Sequence, residues 1–196
     1  SPLCFRIAIL LLFFNPAWYS GSVAQKYFFS SIRCKKERIK EISFMGKQQI
    51  QITQTFDAPV ETIFNCLTDH ETFGQVVNAK IKRVVDSQGE NKNGSGSVRR
   101  INSFPVPAFE ETVITFEPNR LMEYVVSKGS PIKNHKGRME FSHDKGKTRL
   151  MYIIDFEPRL PFVFLGAIIK KAIEKPIRQG IKGLADKYDL GKRGCS

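Results

Sequence analysis

The sequence predicts an α+β domain in which an antiparallel β-sheet packs against one long C-terminal helix. Three observations lead to this prediction. Short segments of alternating apolar and polar residues follow one another over residues 79–156 with turns between them, which favours antiparallel pairing of consecutive strands. Two short helical patterns come directly after the first predicted strand. An apolar stripe with helical spacing then extends over residues 162–188.

The first elements are one strand and two short helices. Gln49 to Phe56 alternates between apolar and polar side chains, which is typical of a half-buried strand. Asp57-Ala58-Pro59 then offers a capping carboxylate and a proline that a first helical turn tolerates. Apolar residues recur at helical spacing up to Leu67. Asp69 is expected to cap a second helix that ends at about Val77.

Six further strands and one helix complete the pattern. The predicted strands are Ala79–Asp86, Ser97–Ser103, Ala108–Phe116, Arg120–Lys128, Lys136–Ser142 and Thr148–Phe156. The final helix is expected from Phe162 to about Tyr188, with basic side chains opposite its apolar stripe, and Pro176 is expected to kink it. Because the stripe and one face of the sheet are both apolar, we expect these two surfaces to pack together.

The composition fits one globular domain with an additional segment. The chain has 196 residues, of which 41% are hydrophobic and 16 are Phe, and this excludes wholesale disorder and collagen-like architecture. A net charge of +12 suggests an acidic partner, either nucleic acid or an anionic membrane. The four cysteines are scattered and form no CxxC pair, so we expect neither a disulfide framework nor a zinc site.

The first 44 residues differ in character from the rest. Leu3 to Phe14 is an apolar run interrupted by Arg6, and it is shorter than the roughly 20 residues that a membrane-spanning helix needs. Ser22-Val23-Ala24 has the small-x-small pattern of a signal-peptide cleavage site. Residues 26–41 are basic. This segment is therefore a signal or membrane anchor, an interfacial amphipathic segment, or upstream sequence that is not part of the working protein.

We favour the third interpretation, in which Met45 is the natural start. The protein would then be cytoplasmic, whereas a genuine leader would make it secreted or membrane-anchored. On this interpretation the chain divides into a leader at residues 1–44, a domain at residues 45–190 and a tail at residues 191–196.

Several short motifs occur in a characteristic order. They are Phe56-Asp57-Ala58-Pro59-Val60-Glu61-Thr62-Ile63-Phe64, Leu67-Thr68-Asp69, Phe116-Glu117-Pro118-Asn119-Arg120-Leu121-Met122-Glu123-Tyr124, Gly129-Ser130-Pro131 and Gly146-Lys147-Thr148-Arg149-Leu150. With these motifs, residues 48–188 resemble the SRPBCC superfamily, the START-like helix-grip group that includes the birch-pollen allergens. Within it they are most similar to the polyketide cyclase/dehydrase and lipid-transport subgroup. Where that subgroup often has Trp after the first helices, this chain has Phe73-Gly74-Gln75-Val76.

The resemblance implies a helix-grip fold with a hydrophobic cavity. In this fold a curved antiparallel sheet wraps around a long C-terminal helix, two short helices follow strand 1, and lipid-like or aromatic molecules bind between sheet and helix. The apolar positions that could line this cavity are Phe104, Phe109, Tyr124, Tyr152, Phe156, Leu165, Ile169, Ile173 and Ile177. Ordinary core packing would use the same positions, and the sequence does not separate the two roles.

Two pairs of adjacent charged residues are candidates for polar contacts in the cavity. Arg99 and Arg100 are neighbours on a predicted strand, so their side chains point to opposite faces. One of them could meet a ligand carboxylate, although a solvated arginine is the expected case. Glu110 and Glu111 alternate in the same way, and one of them could act as an acid or base if it were buried.

His135 is the third catalytic candidate because it enters a strand near the Gly129–Pro131 break. All three histidines, the others being His70 and His143, are nevertheless expected at the surface or in loops. The sequence contains no metal-ligand spacing, no glycine-rich phosphate loop and no serine-hydrolase elbow. We therefore expect neither a metal nor another cofactor.

These observations predict a non-enzymatic protein that binds or transports a hydrophobic small molecule, such as a lipid, an isoprenoid or an aromatic polyketide-like compound. Two alternatives stay open: a cyclase/dehydrase-like enzyme that acts in the same cavity, and a basic module that contacts RNA, a ribosome or an anionic membrane. The basic face of the last helix is expected to be solvated, so nucleic acid is not favoured as a partner. Transient membrane contact stays possible, and the sequence does not define an oligomeric state.

Overall fold

The computed structural model describes residues 46–103, 106–159 and 163–193, without the side chains of residues 103, 106, 163–165 and 190–193. The predicted leader, Phe104 and the end of the predicted tail therefore lie outside the described residues. The elements in chain order are β1 (Gln48–Phe56), α1 (Val60–Thr68), α2 (His70–Val76), β2 (Lys80–Val85), β3 (Val98–Ser103), β4 (Val106–Glu117), β5 (Leu121–Lys128), β6 (Ile132–Asp144), β7 (Lys147–Pro158) and α3 (Val163–Arg193).

Within the described residues, seven antiparallel strands form one sheet in the order β1-β7-β6-β5-β4-β3-β2. Consecutive strands from β2 to β7 are neighbours, as short turns require, and β1 closes the sheet beside β7. Together with two short helices after β1 and the long α3, this confirms the predicted α+β helix-grip fold.

The two short helices are joined at a single residue. Asp69 caps α2 as predicted, because its side chain accepts a hydrogen bond from the backbone N–H of Thr72 over 2.9 Å. Pro59 occupies the N-cap position of α1. The apolar face of α1 packs on the sheet, where the Phe64 ring makes edge-on contacts with the rings of Phe116 and Phe141 at centroid distances of 5.3 and 5.0 Å.

β6 and α3 extend furthest beyond their predicted bounds. β6 begins at Ile132, four residues before the predicted start, because it stays paired with β7 up to Pro158. α3 continues to Arg193 and contains Pro176. Ile181 is buried in the core on one side of α3, and Arg178 donates to the backbone carbonyl of Gln51 in β1 over 3.2 Å. Among the described residues, no helix combines the length and the apolar character that a membrane span requires.

α3 passes very close to the end of α2 at Gly180. A Cβ atom at this position would overlap the carbonyl oxygen of Val76, whereas a Cβ atom at Gly183, one turn later, would meet nothing within 4 Å. The absence of a side chain at Gly180 therefore allows the two helices to approach.

Alanine substitutions at these two glycines are expected to change stability in opposite directions. Gly180→Ala should lower the free energy of unfolding by about 1–3 kcal/mol because the helices must move apart. Gly183→Ala should raise it by up to about 1 kcal/mol because alanine favours the helical backbone. Urea denaturation of both full-length variants measures this difference. Equal shifts in the two variants would contradict the close approach.

Candidate functional site

Five buried side chains with polar groups meet on the inner face of the sheet, which also carries the apolar core. One residue comes from each of five neighbouring strands, β3 to β7. They are Arg99, Glu111, Tyr124, His135 and Tyr152, and we call them the buried polar cluster. Burying such groups is costly unless they find partners, so their contacts decide what the site can do.

Arg99 and Glu111 form a buried ion pair. The register of β3 and β4 places them directly opposite each other, so both side chains project from the same face. Arg99 Nε donates to Glu111 Oε2 over 2.9 Å, and Nη2 lies 2.8 Å from the same oxygen, with the side chains 1% and 8% exposed. Burial by itself lowers the pKa of Arg99, but Glu111, through its charge and its hydrogen bond, and the two tyrosines Tyr124 and Tyr152 together outweigh burial, and the net shift is upward. The guanidinium therefore keeps its charge.

The next register pair repeats this chemistry on the outer face. Arg100 lies opposite Glu110, and its Nη2 is 2.6 Å from Glu110 Oε1, with half of the arginine side chain exposed. Strand alternation thus separates two identical residue pairs. The expectation of a solvated arginine is correct for Arg100. It is wrong for Arg99, because the buried carboxylate of Glu111 pairs with the Arg99 guanidinium in the interior.

Two aromatic rings cover the Arg99 guanidinium. Its central carbon lies 4.4 Å from the ring centroid of Tyr124 and 5.2 Å from that of Phe73 in α2. Both distances are within the range of cation–π attraction. The Phe73 ring also makes an edge-on contact with Tyr152 at a centroid distance of 6.4 Å. The charged group is therefore held between apolar surfaces.

Tyr124 and Tyr152 join the middle of the cluster. Their hydroxyl groups hydrogen-bond to each other, and burial raises the pKa of both phenols. Tyr124 crosses directly over Gly137, its partner on β6, where any Cβ atom would overlap the ring. Gly137 is thus required for the position of the ring that covers Arg99.

A β-bulge places His135 in the site. The β6–β7 register shifts between Lys133 and Lys136, and Asn134 adopts a left-handed backbone with φ of 51°. In a regular strand Ile132 and His135, which are three residues apart, would point to opposite faces. The extra residue of the bulge allows both side chains to face inward. The expected surface position of His135 is therefore wrong.

His135 lies beside the ion pair. Its side chain is 5% exposed, and Nε2 is 3.8 Å from Glu111 Oε1. Burial lowers the pKa of His135, the charge of Glu111 partly opposes this effect, and Arg99 reinforces it. The imidazole is therefore neutral at neutral pH and presents one N–H donor and one acceptor nitrogen.

His70 is also buried, against the expectation that it lies at the surface. It has no exposed area, and its Nε2 is 3.1 Å from the hydroxyl of the equally buried Ser97. Asn93, in the loop between β2 and β3, folds back and accepts a hydrogen bond from the His70 backbone N–H over 3.4 Å. Burial lowers the pKa of His70 to about 3, with further lowering by the charges of Arg99 and Arg83.

Three buried nitrogen atoms around this cluster have no hydrogen-bond partner among the described residues. They are Arg99 Nη1, His70 Nδ1 and His135 Nδ1. Leaving a buried donor or acceptor unpaired costs about 1–3 kcal/mol each, and native proteins satisfy most such groups. A hydrogen-bond partner for these three nitrogens would therefore have to come from outside the described residues.

The family assignment follows from the sequence match. A family model described as polyketide cyclase/dehydrase and lipid transport matches residues 47–189. The chain belongs to this family. The resemblance of residues 48–188 is thereby confirmed. No curated protein matches the sequence.

Solved structures similar to this member of the polyketide cyclase/dehydrase and lipid transport family share its fold at low identity. A protein from Thermus thermophilus is 14% identical, with a TM-score of 0.59, over 74% of this chain and 99% of that one. The Zhui aromatase/cyclase from Streptomyces sp. R1128 is 15% identical, with a TM-score of 0.58, over 72% and 94%. A point mutant of norcoclaurine synthase from Thalictrum flavum is 12% identical, with a TM-score of 0.54, over 73% and 96%.

The structure places the residues proposed from the sequence in different environments. The buried polar cluster unites Arg99, Glu111, Tyr124, His135 and Tyr152, whereas Arg100 and Glu110 face outward. Among the predicted apolar lining positions, Phe156 and Ile177 are buried, and Phe109, Ile169 and Ile173 are half-buried and pack against the core. Phe104 and the side chain of Leu165 lie outside the described part of the chain.

Three neighbours of the site were not proposed from the sequence. Phe73 covers Arg99, and His70 with Ser97 forms the adjacent buried pair. Ser97 directly precedes β3, and its alternation with Arg99 and Ile101 is a signal that could have placed Ser97 inward. His70 follows the capping Asp69, but nothing local indicates that the β2–β3 loop covers it.

An open surface depression of about 340 Å³ lies away from the cluster, between the end of α2 and the second half of α3. Its lining residues are Gln75, Val76, Gly180, Gly183, Leu184 and Lys187. The predicted cavity between sheet and helix, for which other residues were named as lining positions, stays a prediction. In residues 46–103, 106–159 and 163–193, no group of three or more acidic, His or Cys side chains could hold a metal ion.

Proposed function

We propose that this protein binds a small molecule with an apolar body and a polar end, between the sheet and α3. The observation that supports this proposal is the set of three unpartnered buried nitrogens on Arg99, His70 and His135. The family description, polyketide cyclase/dehydrase and lipid transport, agrees with an apolar ligand. We retain the cytoplasm as the proposed location.

The polar end of the ligand would meet Arg99 and His135. Two sides of the guanidinium, at Nε and Nη2, are used by Glu111, so Nη1 is the side that can donate to a ligand oxygen. His135 Nδ1, which also has no partner among the described residues, offers a second polar contact. The proposed bound state thus replaces unpaired buried groups with hydrogen bonds, which is a favourable exchange.

The apolar body of the ligand would lie against aromatic and aliphatic side chains. Phe73 and Tyr124 provide ring faces next to the guanidinium. Ile169 and Ile173 on α3 are only half-buried although they pack on the core. The exposed parts of Ile169 and Ile173 would gain free energy if an apolar molecule covered them, at about 25 cal/mol per Å².

We favour binding or transport over catalysis because the titratable groups of the cluster are poor proton carriers at neutral pH. Burial lowers the pKa of His135, which weakens it as a base, and raises the pKa of Tyr124 and Tyr152, which weakens them as acids. A cyclase/dehydrase-like enzyme is the second candidate, because Glu111 and the His135 imidazole lie within 3.8 Å of each other. Turnover of a bound ligand would favour this second candidate.

His135→Gln is expected to weaken ligand binding by about ten-fold, the value of one lost hydrogen bond. The probe is 2-acetonaphthone, an aromatic ketone, titrated calorimetrically into the full chain. His143→Gln is the matched control, because His143 lies on the same strand and is exposed, and it should leave the affinity unchanged. Native mass spectrometry of protein purified from its host should also show a co-purified apolar molecule. The proposal would be overturned if the purified protein carried no such molecule and the titration showed no saturable binding.

A further inference from the structure

We propose that the site selects a neutral ligand, whose polar end is a carbonyl or a hydroxyl, over a carboxylate, and that Glu111 sets this selectivity by cancelling the charge of Arg99. This inference rests on the proposed function. It adds the charge class of the ligand and names Glu111 as the residue that determines it.

The site contains no uncompensated charge. The only buried guanidinium of the described residues is bonded through Nε and Nη2 to the one carboxylate that faces it. The remaining groups around Arg99 are two phenols and two imidazoles, those of Tyr124, Tyr152, His135 and His70. Burial raises the pKa of both phenols and lowers the pKa of both imidazoles, so all four are neutral at pH 7.

Charged groups near the edge of the site are engaged elsewhere. The charge of Arg83 lowers the pKa of His70, and Arg83 Nε lies 2.7 Å from Asp86 Oδ1. Lys136 follows His135 in sequence but points to the opposite face, where its ammonium is 2.9 Å from Glu123. None of these contacts leaves a positive charge available for an anionic ligand.

A neutral oxygen and a carboxylate are therefore expected to bind at Arg99 with different affinities. A carbonyl or hydroxyl oxygen accepts the Nη1 hydrogen bond and leaves the charge balance unchanged. A carboxylate would place a second negative charge at a guanidinium that Glu111 already neutralises, and its desolvation would not be offset by a new ion pair. Histidine Nδ1 atoms can donate or accept according to tautomer, so they fit either kind of neutral oxygen.

Two ligands of similar size and shape, one neutral and one anionic, test this inference. The full chain is titrated calorimetrically at pH 7.5 with 2-acetonaphthone and with 2-naphthoic acid, which share the same ring system. The ketone is expected to bind at least ten-fold more tightly. Equal or tighter binding of the acid would overturn the selectivity, whereas saturable binding of neither compound would overturn the proposed function itself.

Substitution of Glu111 should reverse the preference. Glu111→Gln keeps the shape of the side chain and removes its charge, so the acid should gain at least ten-fold over the ketone because Arg99 is then uncompensated. Glu110→Gln, the same change at the outer pair, should leave the preference as in the wild type. An unchanged preference in folded Glu111→Gln protein would contradict the assigned role of Glu111.

The wild type alone also decides the question if Glu111→Gln does not fold. A site that accepts only the neutral form must bind naphthoic acid together with a proton. Its apparent affinity should then rise about ten-fold for each pH unit between pH 8 and pH 6, while ketone affinity stays constant. Affinity of the acid that is independent of pH would show that it binds as an anion and would overturn the inference.

Discussion

Replacing Arg99 with methionine is expected to lower the free energy of unfolding by about 3–5 kcal/mol, the cost of leaving a buried charge without its partner. The partner is Glu111, which is 8% exposed and loses its two contacts with the guanidinium. The rings of Phe73 and Tyr124 would also lose their cation. Urea denaturation of the full-length variant at neutral pH measures the loss.

Arg100→Met is the matched control because the same substitution then removes the outer pair with Glu110. Half of the Arg100 side chain is exposed, and ion pairs in water contribute at most about 1 kcal/mol. The double variant Arg99→Met with Glu111→Leu should recover most of the stability, since it removes both buried charges. If Arg99→Met costs no more than Arg100→Met, the buried ion pair does not contribute as we describe.

Acidification is expected to destabilise the domain through His70. The pKa of this side chain falls from 6.5 to about 3 on folding, mainly because it is buried. Between these values the unfolded chain binds a proton that the folded protein excludes, so stability is complete above pH 6.5 and decreases as the pH falls. The expected contribution of His70 is a loss of about 3 kcal/mol between pH 7.5 and pH 4.

His70→Gln isolates this contribution from that of the carboxylates. Glutamine can still hydrogen-bond Ser97 but does not titrate, so its stability curve should lose about 3 kcal/mol less than the wild type over the same pH range. His143→Gln makes the same substitution at an exposed position and is the matched control. Urea denaturation at a series of pH values gives all three curves. Parallel curves for His70→Gln and the wild type would refute the buried neutral histidine.

Local patterns predicted most of the fold because each of them reports the immediate surroundings of the chain. Alternation in β7 places every second residue in the core, and Tyr152 and Phe156, which were predicted to line the interior, are buried. Asp69 caps α2 as its side chain suggests. The errors lie at boundaries, where pairing between strands extends β6 back to Ile132.

The site was harder to predict than the fold because its residues are distant in sequence. His70 and Arg99 were expected in water, since histidine and arginine usually are. Both are buried because partners from other elements accompany them: Ser97 faces His70, and Glu111 faces Arg99. The tendency of a residue type to be exposed does not include the partners that the tertiary structure places beside a particular side chain.

The sequence by itself determined the strand and helix pattern and the rule that Arg99 and Arg100, like Glu110 and Glu111, must lie on opposite faces. Only the tertiary structure decided which member of each pair faces inward, because that choice depends on the register between β3 and β4. It also decided that His135 joins them, through a bulge in β6. The physical reason is that pairing between strands is a long-range interaction, whereas periodicity records only which side chains share a face.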